Sequence, residues 1–222
     1  MRALVQKLSA VQEAVVVTAI FVGWFICGAI RIAFAGSAGS ANGSPMYDSA
    51  AAISLVVFEC MTFAVGALVL RWRGWRAADF LFAITWRHLL VALGLLFLTG
   101  VTDLLLWQAV GNRLDDGSVL ENLVQPGGVA FGAALLMSAV NGTFEEFFLC
   151  RYLIERFKTS GAMFAVSLSA GIRMLYHIYQ GPYGTISILA FGMIIGVYYW
   201  RTRALGAVVL THVLADLIAL SR

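Results

Sequence analysis

Two adjacent carboxylates, Glu145 and Glu146, stand inside an apolar stretch that begins near Val129 and continues past Tyr152. A carboxylate inside a membrane is costly, so by default it marks a functional site and requires a partner. Candidate partners follow downstream as two pairs of residues spaced four apart, and this spacing places both members on one face of a helix. These pairs are Arg173 with His177, and His212 with Asp216. The pattern predicts a polar site built from three helices.

The composition places these residues in a membrane protein. Of the 222 residues, 61% are hydrophobic and only 12% are charged. The mean hydropathy is +0.87. A soluble domain could not bury so much apolar surface, so the soluble classes are excluded.

The apolar residues fall into stretches long enough for transmembrane helices. A spanning helix needs roughly 20 apolar residues. Seven stretches qualify: Ala14–Ala35, Ala50–Leu70, Leu89–Trp107, Val129–Leu153, Ala162–Tyr179, Thr185–Trp200 and Ala204–Leu220. We therefore expect an all-α, polytopic transmembrane bundle of about seven spans. It forms a single membrane domain, residues 1–222, with a catalytic-type core at approximately 129–220.

Lysine and arginine are distributed unevenly between the two sides of these spans. Eleven precede the first span or lie at the ends of the second, fourth and sixth, three lie on the opposite side, and Arg173 lies within a span. Cytoplasmic loops carry the excess of Lys and Arg, so the N-terminus is predicted to be cytoplasmic. The net charge of +3 then reflects topology and gives no sign of nucleic-acid binding. The expected location is the plasma (inner) membrane.

Other residues within the spans receive structural interpretations. Glu59 lies near the centre of the second span, where we interpret it as hydrogen-bonded to a neighbouring helix, in preference to a catalytic role. Three cysteines in separated helices form neither a disulfide framework nor a metal pattern. Gly192 and Gly196 have the spacing that lets another helix approach closely.

Three motifs in order resemble the CAAX-protease and bacteriocin-processing (CPBP, or Abi) family of intramembrane glutamic endopeptidases. The resemblance covers about Asn141 to Ala219. The family motif Glu-Glu-x-x-x-Arg is matched by Glu145 and Glu146. The His of Phe-x-x-x-His is matched by His177, and His-x-x-x-Asn/Asp is matched by His212 with Asp216.

The sequence departs from the first two motifs. Cys150 occupies the position of the family's Arg, and Arg151 comes one residue late, about 100° away around the helix. Arg173 replaces the Phe of the second motif. Two adjacent carboxylates in a low-dielectric site cannot both stay ionised without a cation nearby. We therefore expect Arg173 to supply that charge, pairing chiefly with Glu146.

The resemblance implies a mechanism of peptide hydrolysis without a cofactor. Glu145, backed by the imidazole of His177, would deprotonate water. His212, with Asp216 on the same face, would donate to the developing oxyanion. Glu146 would orient the site. The substrate would be a membrane protein or peptide.

Other classes of function remain open. The side chains that could ligate zinc in a zinc-dependent intramembrane protease are Glu145, His177, His212 and Asp216. However, no HExxH motif is present. A Cys150 nucleophile is disfavoured because an apolar helix disfavours the thiolate. A non-catalytic binding or immunity-type membrane protein of the same family is a further alternative. A proton-coupled carrier is disfavoured because no internal repeat is seen.

The depth of the residues in the membrane is undetermined by the sequence. On the spans above, Glu145 lies nearer the inner end of its helix, whereas His177 lies nearer the outer end of the next. The two residues meet only if the helix that carries Glu145 extends further toward the cytoplasm, or if the helix that carries His177 lies less deep in the membrane.

Overall fold

The structure is a computed structural model that describes residues 2–35, 48–114 and 129–220. Within these ranges every regular element is a helix. The main helices are α1 (Arg2–Gln6), α2 (Ala10–Ala35), α3 (Ser49–Trp72), α4 (Trp86–Leu106), α5 (Phe131–Glu146), α6 (Ala162–His177), α7 (Gly181–Thr202) and α8 (Leu205–Leu220). The all-α prediction is confirmed.

Several shorter helical segments extend or connect the main helices. α4 continues as a π-helical segment, Trp107–Gly111, and a last turn, Asn112–Leu114. α5 continues without a break as the π-helical segment Phe147–Ile154. Short 3-10 turns are formed by Ala77–Phe80, Lys158–Ser160 and Ile178–Gln180.

Each predicted span coincides with a helix to within a few residues. Helix starts have local causes: Asp48 accepts a hydrogen bond from the backbone N–H of Ala51 at 2.7 Å, which caps α3. By length and apolar composition, four stretches of the described residues could cross a membrane: Ala10–Phe34, Ser49–Trp72, Trp86–Gly111 and Ala162–Thr202. The number of seven spans and the orientation of the N-terminus stay predictions.

The last of those stretches is two helices that turn back on each other. A Cβ atom on Gly192 would lie 3.2 Å from the Cβ of Ala170, and one on Gly196 would lie 3.0 Å from Cγ1 of Val166. As the residue number rises by four in α7, it falls by four in α6, so the two helices are antiparallel. The predicted close approach at these glycines is confirmed.

Helix α5 and its π-helical extension lie at the centre of the bundle. The extension is almost completely buried, and with Phe144 it contributes Phe147, Phe148, Leu149, Tyr152 and Leu153 to an aromatic and aliphatic core. α2 contributes Phe21, whose ring stacks on Phe144 and Phe148 at centroid distances of 5.2 and 5.1 Å. This packing holds the helix that carries Glu145 and Glu146.

An ionic cluster ties the N-terminal helices to the end of this extension. Glu13 accepts hydrogen bonds from Arg73 at 2.5 Å, Arg156 at 3.1 Å and Tyr152 at 3.3 Å. Glu13 is buried, so the two arginines offset the cost of burying its charge.

Candidate active site

The polar face of α5 begins one turn before the two glutamates. Asn141 and Glu145 are four residues apart and so share a face. Between them, Gly142 allows α8 to approach: a Cβ there would lie 3.0 Å from Cγ2 and 3.2 Å from the backbone N of Val213. This approach brings His212, the residue before Val213, next to Glu146.

Arg173 of α6 lies between the two glutamates. Its NH2 group donates to Oε1 of Glu146 at 2.6 Å, and its NH1 group donates to Oε2 of Glu145 at 3.2 Å. Only 2% of the Arg173 side chain is exposed. The predicted pairing of Arg173, chiefly with Glu146, is confirmed.

The α7 helix fixes the position of this arginine from the other side. A Cβ atom on Gly192 would lie 3.3 Å from Cδ of Arg173. The guanidinium carbon lies 5.4 Å from the centre of the Phe191 ring, within the range of a cation–π contact. The arginine is thus held by α5, α6 and α7 together.

His212 of α8 is held between carboxylates. Its Nδ1 lies 2.6 Å from Oε1 of Glu146 and donates to it, because a carboxylate only accepts. Its Nε2 faces Oδ1 of Asp216 at 3.5 Å. The other oxygen of Asp216 accepts from the amide of Asn141 at 2.9 Å. α5 and α8 are therefore joined by two polar contacts, one on each side of Gly142.

The two glutamates have different surroundings. Glu146 is fully buried and both of its oxygens are occupied: Oε1 by Arg173 and His212, and Oε2 by the thiol of Cys150, which donates at 3.2 Å. Oε2 of Glu145 accepts from Tyr176 at 2.5 Å as well as from Arg173. Among the described residues, Oε1 of Glu145 has no hydrogen-bond partner, and it is not among the buried unpaired atoms. One oxygen of Glu145 is therefore open to a water molecule or a substrate.

His177 stands at the edge of this group. Its Nδ1 lies 3.0 Å from the carbonyl oxygen of Arg173 and so carries the proton, which leaves Nε2 as an acceptor when the ring is neutral. The ring packs against Tyr176 at a centroid distance of 4.5 Å. In the described part of the chain no hydrogen bond joins it to Glu145, although an electrostatic interaction does. The structure therefore brings together the predicted site residues Glu145, Glu146, Arg173, His212 and Asp216, with His177 adjacent.

A family model described as type II CAAX prenyl endopeptidase Rce1-like matches residues 127–218. This region is therefore similar to the CAAX-protease (CPBP) family, in agreement with the resemblance seen in the motifs. No curated protein and no solved structure matches the chain. The matched region contains α5 to α8 almost completely, and hence every predicted site residue. The match supports a CAAX-type intramembrane protease as the general class.

The departures from the CAAX-protease motifs have a structural explanation. Cys150 lies on the face of Glu146, as its thiol contact shows, so the motif's arginine would have pointed at that carboxylate. Arg151 points elsewhere, and its Nε donates to the backbone oxygen of Asp79 at 3.3 Å. Arg173 occupies the place of the missing charge from the neighbouring helix.

Two residues that contact the glutamates or Asp216 were missed by sequence reasoning. Tyr176 donates to Glu145, and Asn141 donates to Asp216. Asn141 could have been identified from the sequence, since it is a polar residue one turn before Glu145 inside an apolar stretch. Tyr176 could not have been identified in this way, because a tyrosine near a helix end is common at a membrane interface.

The hydrogen bond predicted from Glu59 to a neighbouring helix stays a prediction. Glu59 is 1% exposed, and its Oε2 has no hydrogen-bond partner among the described residues.

Among the described residues, no three His, Cys, Asp or Glu side chains converge in a way that could hold a metal ion. Arg173 and His212 already occupy Oε1 of Glu146.

Proposed function

We propose that this protein is an intramembrane glutamic endopeptidase that hydrolyses a peptide bond of a membrane-associated protein by means of Glu145-activated water. The observation that supports this most directly is the contrast between the glutamates. Glu146 is closed in by Arg173, His212 and Cys150, whereas Glu145 keeps one oxygen open. A general base must reach the proton that it removes, and only Glu145 meets that condition.

The neighbours of Glu145 prepare it for this role. Arg173 and Tyr176 both donate to Oε2, which stabilises the carboxylate and fixes its orientation. The water would lie at Oε1. His177, whose Nδ1 is engaged with the Arg173 carbonyl, presents Nε2 as a second acceptor for that water.

The oxyanion would be stabilised by His212. Asp216 faces Nε2 of this ring at 3.5 Å, which favours a proton on Nε2 but is too long for a strong hydrogen bond. That proton is available to a substrate carbonyl oxygen, and a donor of this kind contributes about 10²–10³ in kcat. Glu146 and Asn141 position the two partners, His212 and Asp216.

The test is Glu145→Gln, which preserves size and hydrogen bonding but cannot accept a proton. The protein would be purified into proteoliposomes and supplied with a peptide that ends in a farnesylated CAAX sequence, and with the same peptide without the lipid. We expect a loss of activity of about 10²-fold or more, with an unchanged melting temperature.

Glu155→Gln is the matched control. Glu155 pairs with Arg203 at 2.9 Å at a partly exposed site, away from the glutamate pair, and its replacement should leave activity within about twofold. Full activity of Glu145→Gln would refute glutamate catalysis. Equal and negligible cleavage of both peptides by wild type and variant would favour the non-catalytic class. Comparison of the two peptides shows whether the lipid is recognised.

A further inference from the structure

Glu59 lies on the inner face of α3, outside the segment that matches the family. Glu59 is buried. Ala52, seven residues before it, and Gly66, seven residues after it, are buried as well. A seven-residue spacing returns to nearly the same side of a helix, and α3 packs against α5. The carboxyl group is therefore inside the bundle, on a stripe whose other members are small.

One oxygen of the Glu59 carboxyl group is unpaired inside the bundle: its Oε2 is buried without a hydrogen-bond partner in the described residues. Electrostatic interactions link it to Glu145 and Asp216, which are acidic, and to His212. Buried polar atoms without partners are rare in native proteins, and a catalytic role is one of the reasons for them.

The charge states of Glu59 and Glu145 differ because their partners differ. Glu145 has the Arg173 guanidinium and the Tyr176 hydroxyl at Oε2, which favour the carboxylate. Glu59 has no cation bound to it among the described residues, and His212 is already engaged by Glu146 and Asp216. An ionised carboxylate without a partner is too costly to bury, so Glu59 keeps its proton.

A pair of carboxyl groups, one ionised and one protonated by their surroundings, is the arrangement that supplies a base and an acid in one site. We propose that Glu59 is the general acid of this site, a role that rests on the function proposed above. Glu145 takes a proton from water while the hydroxide adds to the carbonyl carbon.

When the C–N bond breaks, its electron pair stays on nitrogen and accepts the proton of Glu59. The proton held by Glu145 then passes to Glu59, which restores both groups and consumes no other reactant.

The experiment compares Glu59→Gln with wild type on a farnesylated CAAX peptide and on its depsipeptide, in which oxygen replaces the scissile nitrogen. An alkoxide leaves without a proton far more easily than an amide anion. We expect Glu59→Gln to lower kcat on the peptide by about 10²-fold or more. The loss of kcat on the ester should be roughly ten times smaller. The ratio of ester to peptide cleavage therefore rises at least about tenfold.

Glu13→Gln is the matched control, because it makes the same change at a buried glutamate that is paired with Arg73 and Arg156. It should lower the melting temperature and leave the ester-to-peptide ratio unchanged. A merely structural role for Glu59 predicts the same behaviour for Glu59→Gln.

Infrared spectroscopy of the proteoliposomes provides a readout that does not depend on turnover. At neutral pH we expect the carbonyl band of a protonated carboxylic acid, which Glu59→Gln removes and Glu13→Gln retains. If Glu59→Gln does not fold, Glu59→Leu serves to assign the band.

An unchanged ratio, or the absence of the band, overturns the acid role and leaves the proposed function standing if Glu145→Gln is inactive. Wild-type protein that cleaves neither compound overturns the proposed function and the acid role with it.

Discussion

Replacing Arg173 by leucine should destabilise the protein strongly, because it leaves two buried carboxylates without their cation. Glu146 is fully buried and Glu145 is 5% exposed. Removing one partner of a buried ion pair typically costs about 3–5 kcal/mol. For a chain of this size, about 1 kcal/mol corresponds to roughly 2–4 °C in Tm, so we expect Tm to fall by roughly 6–20 °C. Activity should be lost as well.

Arg151→Leu is the matched control, since it makes the same change at an arginine near the glutamates. Its side chain is half-buried, and the contact of its Nε with the Asp79 carbonyl is long, at 3.3 Å. The net contribution of a hydrogen bond is about 0.5–1.5 kcal/mol, so Tm should fall by less than about 6 °C. The assay is thermal unfolding in detergent, with cleavage measured in proteoliposomes.

Two double variants test the cause of the loss. Arg173→Leu with Glu146→Gln removes both charges of the shorter ion pair, and replacing both partners is far less costly than removing one, so more than half of the lost stability should return. Cys150→Arg with Arg173→Phe should also recover part of the loss, because the thiol of Cys150 lies 3.2 Å from Oε2 of Glu146. If Arg151→Leu proves damaging while Arg173→Leu is tolerated, the charge assignment is wrong.

Two further predictions concern the reaction. Tyr176→Phe removes a donor to Oε2 of Glu145; a hydrogen bond to a charged group contributes about 1.5–3 kcal/mol, so steady-state kinetics should show kcat lowered by about tenfold or more, and an unchanged kcat would exclude a role in orienting Glu145. Phenanthroline and EDTA should leave cleavage unchanged and elemental analysis should find no stoichiometric zinc, whereas activity lost with chelator and restored by zinc would favour metal catalysis.

The helices and the central ion pair could be predicted from the sequence for simple reasons. An apolar stretch of suitable length has few alternatives to a helix in a membrane, because its backbone polar groups must be satisfied internally. Arg173 could be paired with Glu146 by charge alone, since two carboxylates required a cation and Cys150 could not provide it. Both inferences rest on the high cost of leaving a backbone polar group or a charge without a partner inside a membrane.

The meeting of residues from different depths could not be predicted from the spans alone. Counting from the turn between α5 and α6 places Glu146 eight residues from Ile154 and Arg173 eleven from Ala162. At about 1.5 Å per residue of α-helix, Arg173 is about 17 Å from the turn, and the π-helical extension, which rises less per residue, places Glu146 at less than about 12 Å from it. His177 is about 23 Å from it.

Helical side chains tilt toward the N-terminus of their helix, which on α6 is toward the turn. The long side chains of Arg173 and Tyr176 therefore reach back to the glutamates. The shorter ring of His177 instead bonds to the carbonyl of Arg173. Side-chain length and tilt decide which residues of α6 contact the carboxylates, and a helical wheel shows neither of them.

The same reasoning explains why adjacent glutamates acquire opposite roles. Neighbouring residues of a helix point about 100° apart, so Glu146 is directed to His212 while Glu145 is directed to Tyr176. The α8 helix comes close enough to cover Glu146 because Gly142 lies one turn before it, where any Cβ would meet Val213. Arg173 reaches both carboxylates and is shared between them. An alanine at position 142 would therefore move α8 and loosen the contact of His212 with Glu146, although it changes no polar group of the site.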